Sequence, residues 1–353
     1  MNAPVKLSHV ARFVDLSDPA TMRRIEAFVA EQGGDVFQRP AWLCGVEAGT
    51  GHRGAGFITE QLGVITGWMP ITEVRSLIFA NTLVSSGFGV GGGICAESNE
   101  AAKALAQAAE RHAVKTGFAS IETRGGFIPE GWVSWDDKHC SFERDLAEDD
   151  EAELLAIPRK ARAEVRKGLK NDLEVRVGRD QRDLDAHYAV YSESVRNLGT
   201  PVFPRTLFKA MLEAFSNESD ILTVLKDGAP IASVFSFYHN GAVLPFWGGG
   251  IHAARNERAN ELMYYKLMCH ARERGMTRFD FGRSKTGSGP YNFKKNWGFD
   301  PEPLTYAEWA APGAKPRDID PTNEAYSRKI DLWKKLPLPI ANLIGPFIAR
   351  DLA

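Results

Sequence analysis

Gly91-Gly92-Gly93-Ile94-Cys95-Ala96 and Gly248-Gly249-Gly250-Ile251-His252-Ala253 are nearly the same hexapeptide, set 157 residues apart. The chain downstream of each copy is also alike. A helix-like stretch runs to a glycine, Gly117 in the first half and Gly275 in the second, 158 residues apart. A short strand then places one carboxylate at the matching position, in Ala119-Ser120-Ile121-Glu122 and in Thr277-Arg278-Phe279-Asp280. With 33 glycines in 353 residues the hexapeptide alone carries little weight. The common spacing to a helix stop and an acidic strand reads as two copies of one α/β unit.

The length suits about two domains, each able to bury its own core. Hydrophobic residues at 44% and charged residues at 25% are ordinary globular values. A net charge of −2 gives no overall pull toward nucleic acid. DNA is not expected as a partner, and any anion site must come from local clustering. The four cysteines, Cys44, Cys95, Cys140 and Cys269, form no C-x-x-C pair and read as reduced thiols. The eight histidines show no metal-binding spacing, so no metal is expected. The polar N-terminal sequence lacks the apolar segment of a signal peptide, which predicts a cytoplasmic protein. The apolar run Leu336–Ile348 is broken by three prolines and a glycine and is too short to span a bilayer.

The first half predicts a helix over Pro19–Glu31, strands between Phe57 and Val84, an Ala-rich helix from about Glu97 to Lys115 and strands at Phe118–Thr123 and His139–Leu146. The acidic run Glu148-Asp149-Asp150-Glu151 favours a helix start. It places the domain boundary at 147/148, giving domains over 1–147 and 148–312 and an extension over 313–353. In the second half, helices around Arg182–Val195 and Arg205–Phe215 precede strands at Ile221–Leu225, Pro230–Tyr238 and Ala242–Trp247. Asp227-Gly228 and Asn240-Gly241 join these strands as tight primed turns. A helix over Arg258–Arg274 and a strand over Met276–Phe281 complete a mixed α+β meander with a late crossover helix, not a doubly wound sheet.

Two motifs are decoys. Gly87-Phe88-Gly89-Val90-Gly91-Gly92 matches G-x-G-x-x-G, and Asp280-Phe281-Gly282 spells a kinase tripeptide. The other kinase motifs and a leading βαβ unit are missing, so the glycines read as close-packing or bulge positions.

The chemistry-bearing stretch is Phe279-Asp280-Phe281-Gly282-Arg283-Ser284-Lys285, which passes through a Gly/Ser loop to Tyr291-Asn292-Phe293-Lys294-Lys295-Asn296-Trp297-Gly298. A loop that returns with two lysines among aromatics suits an anionic or carbonyl-bearing ligand, because excluded water strengthens the lysine charge. The alternative is a loop whose aromatics pack on the sheet while its lysines face solvent. A second cluster is Arg159, Lys160, Arg162, Arg166, Lys167 and Lys170 on one predicted helix. That face either grips phosphate or is simply solvated.

Phe293-Lys294-x-x-Trp297-Gly298 resembles the F-K-x-x-[FW]-G signature of the Fem-type peptidyltransferases. The segment Lys160–Gly168 resembles the basic stretch that opens their second domain, and Gln38-x-x-x-Trp42 resembles their N-terminal Q-x-x-x-W. The wording around 279–304 is most similar to the FemAB-related branch associated with exosortase/PEP-CTERM exopolysaccharide systems, and the resemblance covers about residues 35–310. It implies two tandem GNAT-like acyltransferase domains and transfer of an aminoacyl or acyl group to an amine on an envelope or exopolysaccharide precursor. It implies aminoacyl-tRNA or acyl-CoA as co-substrate and no permanently bound cofactor. Two features depart from relatives. There is no helical tRNA-binding arm, and Arg255–Asn260 lacks the glycines of a CoA pyrophosphate loop.

On this footing the catalytic candidates are Lys294, Phe293 and Asp280. Lys294 would stabilise the carbonyl oxyanion, with Asp280 as the one nearby carboxylate. The substrate-binding candidates are Arg159, Lys160, Arg162, Arg166, Arg283, Lys285, Tyr291, Trp297, Gln38 and Trp42. A CoA-dependent GNAT enzyme and a non-catalytic binding protein of an exopolysaccharide assembly remain as other readings. The basic-then-apolar tail from Lys334 either docks on the protein's own surface or lies peripherally at the inner membrane.

Overall fold

The computed structural model describes residues 9–76, 79–314 and 330–352. The chain divides into two compact units. The first takes residues up to Asp136 and a return segment beginning at Leu304. The second starts at Asp137, runs to Pro303 and takes the later helical segment ending at Arg350.

The first unit contains β1 (Ala11–Asp15), α1 (Pro19–Glu31), α2 (Pro40–Thr50), β2 (Arg53–Gln61), β3 (Val64–Val74), β4 (Thr82–Val84), β5 (Cys95–Ala96), α3 (Asn99–Thr116), β6 (Ser120–Arg124) and β7 (Val133–Trp135). The second contains β8 (His139–Asp145), α4 (Asp150–Ala156), α5 (Arg159–Gly168), β9 (Glu174–Gly178), α6 (Gln181–Leu198), α7 (Arg205–Ala214), β10 (Ser219–Lys226), β11 (Ala229–His239), β12 (Ala242–Gly250), α8 (His252–Glu257), α9 (Ala259–Glu273), β13 (Arg278–Asp280), β14 (Ser284–Lys285), α10 (Gly289–Asn296) and β15 (Pro301–Pro303). β16 (Tyr306–Ala310) returns to the first unit, and α11 (Leu338–Ala349) belongs to the second.

The repeated hexapeptides mark a repeat of topology. β1-α1-α2-β2-β3-β4-α3-β6 and β9-α6-α7-β10-β11-β12-α9-β13 trace the same path, with the short β5 added in the first and α8 in the second. The sheets run β1-β2-β3-β4-β6-β16-β7 and β14-β8-β13-β12-β11-β10-β9. In both, the third meander strand lies parallel to the strand after the long helix, β4 beside β6 and β12 beside β13. Local chemistry explains the path. Ser98 caps α3 by accepting from the Ala101 N–H, and Gly117 at φ +75° stops it. Asp227-Gly228 (φ +52°, +77°) and Asn240-Gly241 (φ +47°, +76°) are the left-handed pairs that a primed hairpin turn requires.

Three sequence expectations change. His139–Leu146 does not close the first sheet, because β8 pairs with β13, β14 and β15. Its inward side chains Cys140 and Phe142 join Phe279, Phe281, Trp297 and Phe299 in the second unit's core. The place beside β6 is filled instead by β16. The units therefore divide at 136/137, not 147/148, and the first unit recovers chain from Leu304 onward. Finally, the helix expected over Arg258–Arg274 begins only after Arg258, whose left-handed backbone (φ +57°) separates α8 from α9.

The tail helix α11 is seated on the second unit. Ala341, Gly345 and Ala349 are buried, Gly345 packs against Val202, and Asn342 donates to Ser192 Oγ of α6 at 3.2 Å.

Candidate functional site

β12 and β13 pair for only two residues, Ala242 with Arg278 and Val243 with Phe279. Beyond that point β12 accompanies β11 to Gly250 while β13 ends at Asp280. Opposite Ser236 and Phe235 sit Pro245 and Trp247, leaving Phe246 as an extra residue. Pro245 has no N–H to give the ladder, so a bulge there is natural, and it strengthens the local twist. The parallel strands thus part beside Asp280.

The chain turns sharply on leaving β13. Asp280 Oδ1 accepts from the Gly282 N–H at 2.8 Å, and Gly282 takes φ +70°. Asp280-Phe281-Gly282 is therefore a strand-exit turn. Past β14 the chain forms a helix where a flexible loop was expected. Ser288 caps α10 by accepting from Tyr291 N–H, Pro290 preorganises its first turn, and Gly298 at φ +83° lies just past its end.

Helical spacing separates the two lysines. Lys295 is exposed, with its ammonium 5.7 Å from the Tyr291 ring. Lys294 is only 8% exposed. Its Nζ donates to the carbonyl oxygens of Gly282 at 2.9 Å and Arg283 at 3.1 Å. The rings of Phe142 and Phe281 lie 5.3 and 5.4 Å from it. Burial pulls Lys294 down to about 8, against the opposing charge of Asp280. Burial likewise pushes Asp280 up to about 6. The Gly282 N–H opposes that rise, Glu143 adds to it, and Lys294 and Arg278 oppose it. Between roughly those two values a carboxylate and an ammonium coexist beside an apolar wall.

That wall is aromatic. Tyr264 of α9 packs edge-on to Phe281 at 4.7 Å, and Phe293 lies 5.7 Å from Trp297. Trp297 is buried and plugs the core, while Tyr291 packs edge-on to Phe142. Arg283 contributes its carbonyl, and Lys285 is exposed on β14. Phe142, Glu143 and Tyr264 escaped the sequence reading. The first two sit on a strand assigned to the wrong sheet, and Tyr264 lies within a helix whose apolar pattern looks like ordinary core.

Arg159, Arg162, Ala163, Arg166 and Lys167 of α5, with Lys170 just past its end, line an open depression of about 430 Å³. Lys160, Arg283 and Lys285 are not part of that lining. Val165 and Gly168 form the buried side of α5, and Gly168 closes against Arg258, which leads into α9, and Leu262 of α9. Glu164 pairs with Lys167 at 2.7 Å and Arg258 at 2.6 Å, offsetting part of the charge. Pro158, which leads into α5, abuts Gly298. The basic helix therefore adjoins the end of α10.

Gln38 and Trp42, in the first unit, are turned inward. Gln38 Nε2 donates to the Gly93 carbonyl at 2.8 Å while its Oε1 accepts from Asp35 N–H. Trp42 Nε1 donates to the Gly87 carbonyl at 3.0 Å. Both brace the glycine-rich loop. A side chain at Gly93 would overlap the Gly125 carbonyl, and one at Gly250 would strike Asn260 and Ala254. Both glycine runs are close-packing positions.

Residues 158–295 match the acetyltransferase (GNAT) domain family. No curated protein matches the chain. The structure is similar to that of FemX (TM-score 0.66, 15% identity, covering 84% of this chain and 96% of that one). It is also similar to a tandem GNAT protein from the clavulanic acid biosynthesis pathway (0.58, 14%, 87% and 100%). A third likeness is to L-PGS from Bacillus licheniformis (0.54, 14%, 93% and 97%). At such identities the likeness is one of fold. The chain has a fold of two tandem GNAT-like acyltransferase domains, and the GNAT family match falls on residues 158–295, within the second.

Proposed function

We propose that the protein is an N-acyltransferase of the FemAB type, moving an aminoacyl or acyl group onto an amine of an envelope or exopolysaccharide precursor. The observation that carries this reading is the Asp280–Lys294 pair, set where β12 and β13 part within the matched GNAT domain. In the proposed step the amine nitrogen attacks the carbonyl carbon of an ester or thioester. The C–N bond forms, the carbonyl oxygen becomes an oxyanion, and Lys294 stabilises that charge. Asp280 takes the amine proton, the C–O or C–S bond breaks, and the leaving oxygen or sulfur is protonated in turn.

The basic depression on α5 fits the phosphates of a tRNA acceptor end or a nucleotide-linked precursor. Aminoacyl-tRNA is favoured as donor over acyl-CoA by the segment before α9. It holds the short helix α8 and a left-handed Arg258 where a glycine loop would present backbone N–H groups to a pyrophosphate. The GNAT family match supports the CoA-dependent reading as the alternative. We place the reaction in the cytoplasm, at or near the inner membrane.

The test is amide formation followed by mass spectrometry, with aminoacyl-tRNAs and acyl-CoAs as donors and amine-bearing nucleotide-sugar precursors as acceptors. Product from aminoacyl-tRNA, lost in Lys294→Met, supports the proposal. Product from acyl-CoA alone moves the protein to the alternative. Tight binding without turnover makes it a binding protein.

A further inference from the structure

The face of α11 turned away from the second unit is unusual. Ile340, Leu343, Ile344 and Phe347 are 47%, 69%, 38% and 67% exposed. Their spacing of i, i+3, i+4 and i+7 gathers them into one stripe. Ala341, Gly345 and Ala349 occupy the opposite, buried side, so the stripe faces outward because the small residues face in. Between Lys335 and Arg350 the chain carries no charge at all. Lys334 and Lys335 stand exposed just before the helix. Arg196 of α6 donates to the carbonyls of Lys334 (3.3 Å) and Leu336 (3.4 Å), which holds this turn in place.

We infer that α11 lays this stripe into the surface of an anionic phospholipid bilayer, with Lys334 and Lys335 against the headgroup phosphates. A helix of 12 residues spans about 18 Å, short of the roughly 30 Å hydrocarbon core. Among the described residues no helix is long and apolar enough to cross a membrane. An interfacial position, apolar side down and cations at the headgroups, is what such a helix satisfies. A second copy of the chain fits less well. The four side chains can bury roughly 450 Å², about half of the ~800 Å² per partner of a standard interface. Four exposed apolar side chains and a pair of lysines complement a lipid surface in both polarity and charge.

The inference concerns where the protein sits and does not depend on its donor or acceptor. Vesicle flotation tests it, using the full chain with phosphatidylcholine vesicles with and without phosphatidylglycerol. Binding is expected to the anionic vesicles and to weaken as salt rises. Leu343→Asp/Phe347→Asp removes apolar contact at exposed positions and should abolish flotation while leaving the thermal midpoint unchanged. Lys334→Glu/Lys335→Glu should lower affinity for anionic vesicles by roughly tenfold or more. Activity on a water-soluble amine should survive in both variants, which separates loss of docking from failure of the proposed chemistry. No flotation of the wild type, or equal flotation of the double aspartate variant, overturns the inference. So does a dimer that the aspartates dissolve in the absence of vesicle binding.

Discussion

Lys294 donates from Nζ to the carbonyl oxygen of Gly282, 2.9 Å away, and so ties α10 to the turn by which the chain leaves β13. A second bond, to Arg283 O, occupies another of the three lysine N–H groups. One donor remains for a reacting carbonyl. Lys294→Met keeps the buried stem and removes the charge. Steady-state rates should fall on the order of 10²–10³-fold, the usual cost of losing one oxyanion donor. Circular dichroism should still report a folded chain. Lys295→Ala, at an exposed position, should stay within about twofold of wild type.

In the proposed step Asp280 would serve as base only when ionised, so the rate should rise as pH climbs through about 6. Lys294 would stabilise the proposed oxyanion only while protonated, so the rate should fall as pH passes about 8. The profile of kcat/KM should be a bell between those limbs. Asp280→Asn should erase the acid limb along with most of the rate. A flat profile from pH 5 to 9 would remove both groups from the chemistry.

Charge reversal at Arg162 and Arg166 should weaken binding of a phosphate-bearing donor and flatten its salt dependence. Each lost phosphate contact lowers the slope of log K against log salt by roughly 0.7–0.9. An unchanged slope would leave α5 as a solvated face.

In the first unit, Trp42→Ala should cost about 3–5 kcal/mol in denaturant melts, because the indole is fully buried. Gly93→Ala should be comparably severe, since a β-carbon there meets the backbone of Gly125. If Trp42→Phe raises KM without lowering stability, Trp42 touches substrate and the bracing role is wrong.

The repeat, the meander and its turns were legible because they rest on local chemistry. Glycines at 117 and 275 stop helices, and Asp-Gly and Asn-Gly pairs close hairpins wherever they lie. The partner of β8 was not legible. An alternating segment such as His139–Leu146 announces a strand, but two open sheet positions could accept it. For the site, the resemblance of Phe293-Lys294-x-x-Trp297-Gly298 to a family signature pointed to Lys294, and Asp280 was the one carboxylate nearby. Which lysine turned inward depended on α10 being a helix, and the cap at Ser288 with Pro290 was the overlooked signal. Phe142 and Tyr264 come from distant parts of the chain, and nothing adjacent to them in sequence points to Lys294.

The placement of β16 bears on how the chain is made. The first unit contains most of its strands within the first 136 residues, yet the strand beside β6 is synthesised only at residues 306–310. On the ribosome, that sheet must wait with an open edge at β6 until nearly all of the second unit has emerged. The second unit has its own strand β8 from the outset and has all its sheet strands by Pro303, before β16 is made. The order in which the two units begin to be synthesised is thus the reverse of the order in which all their sheet strands become available, and a fragment cut at the midpoint would leave the N-terminal piece one strand short.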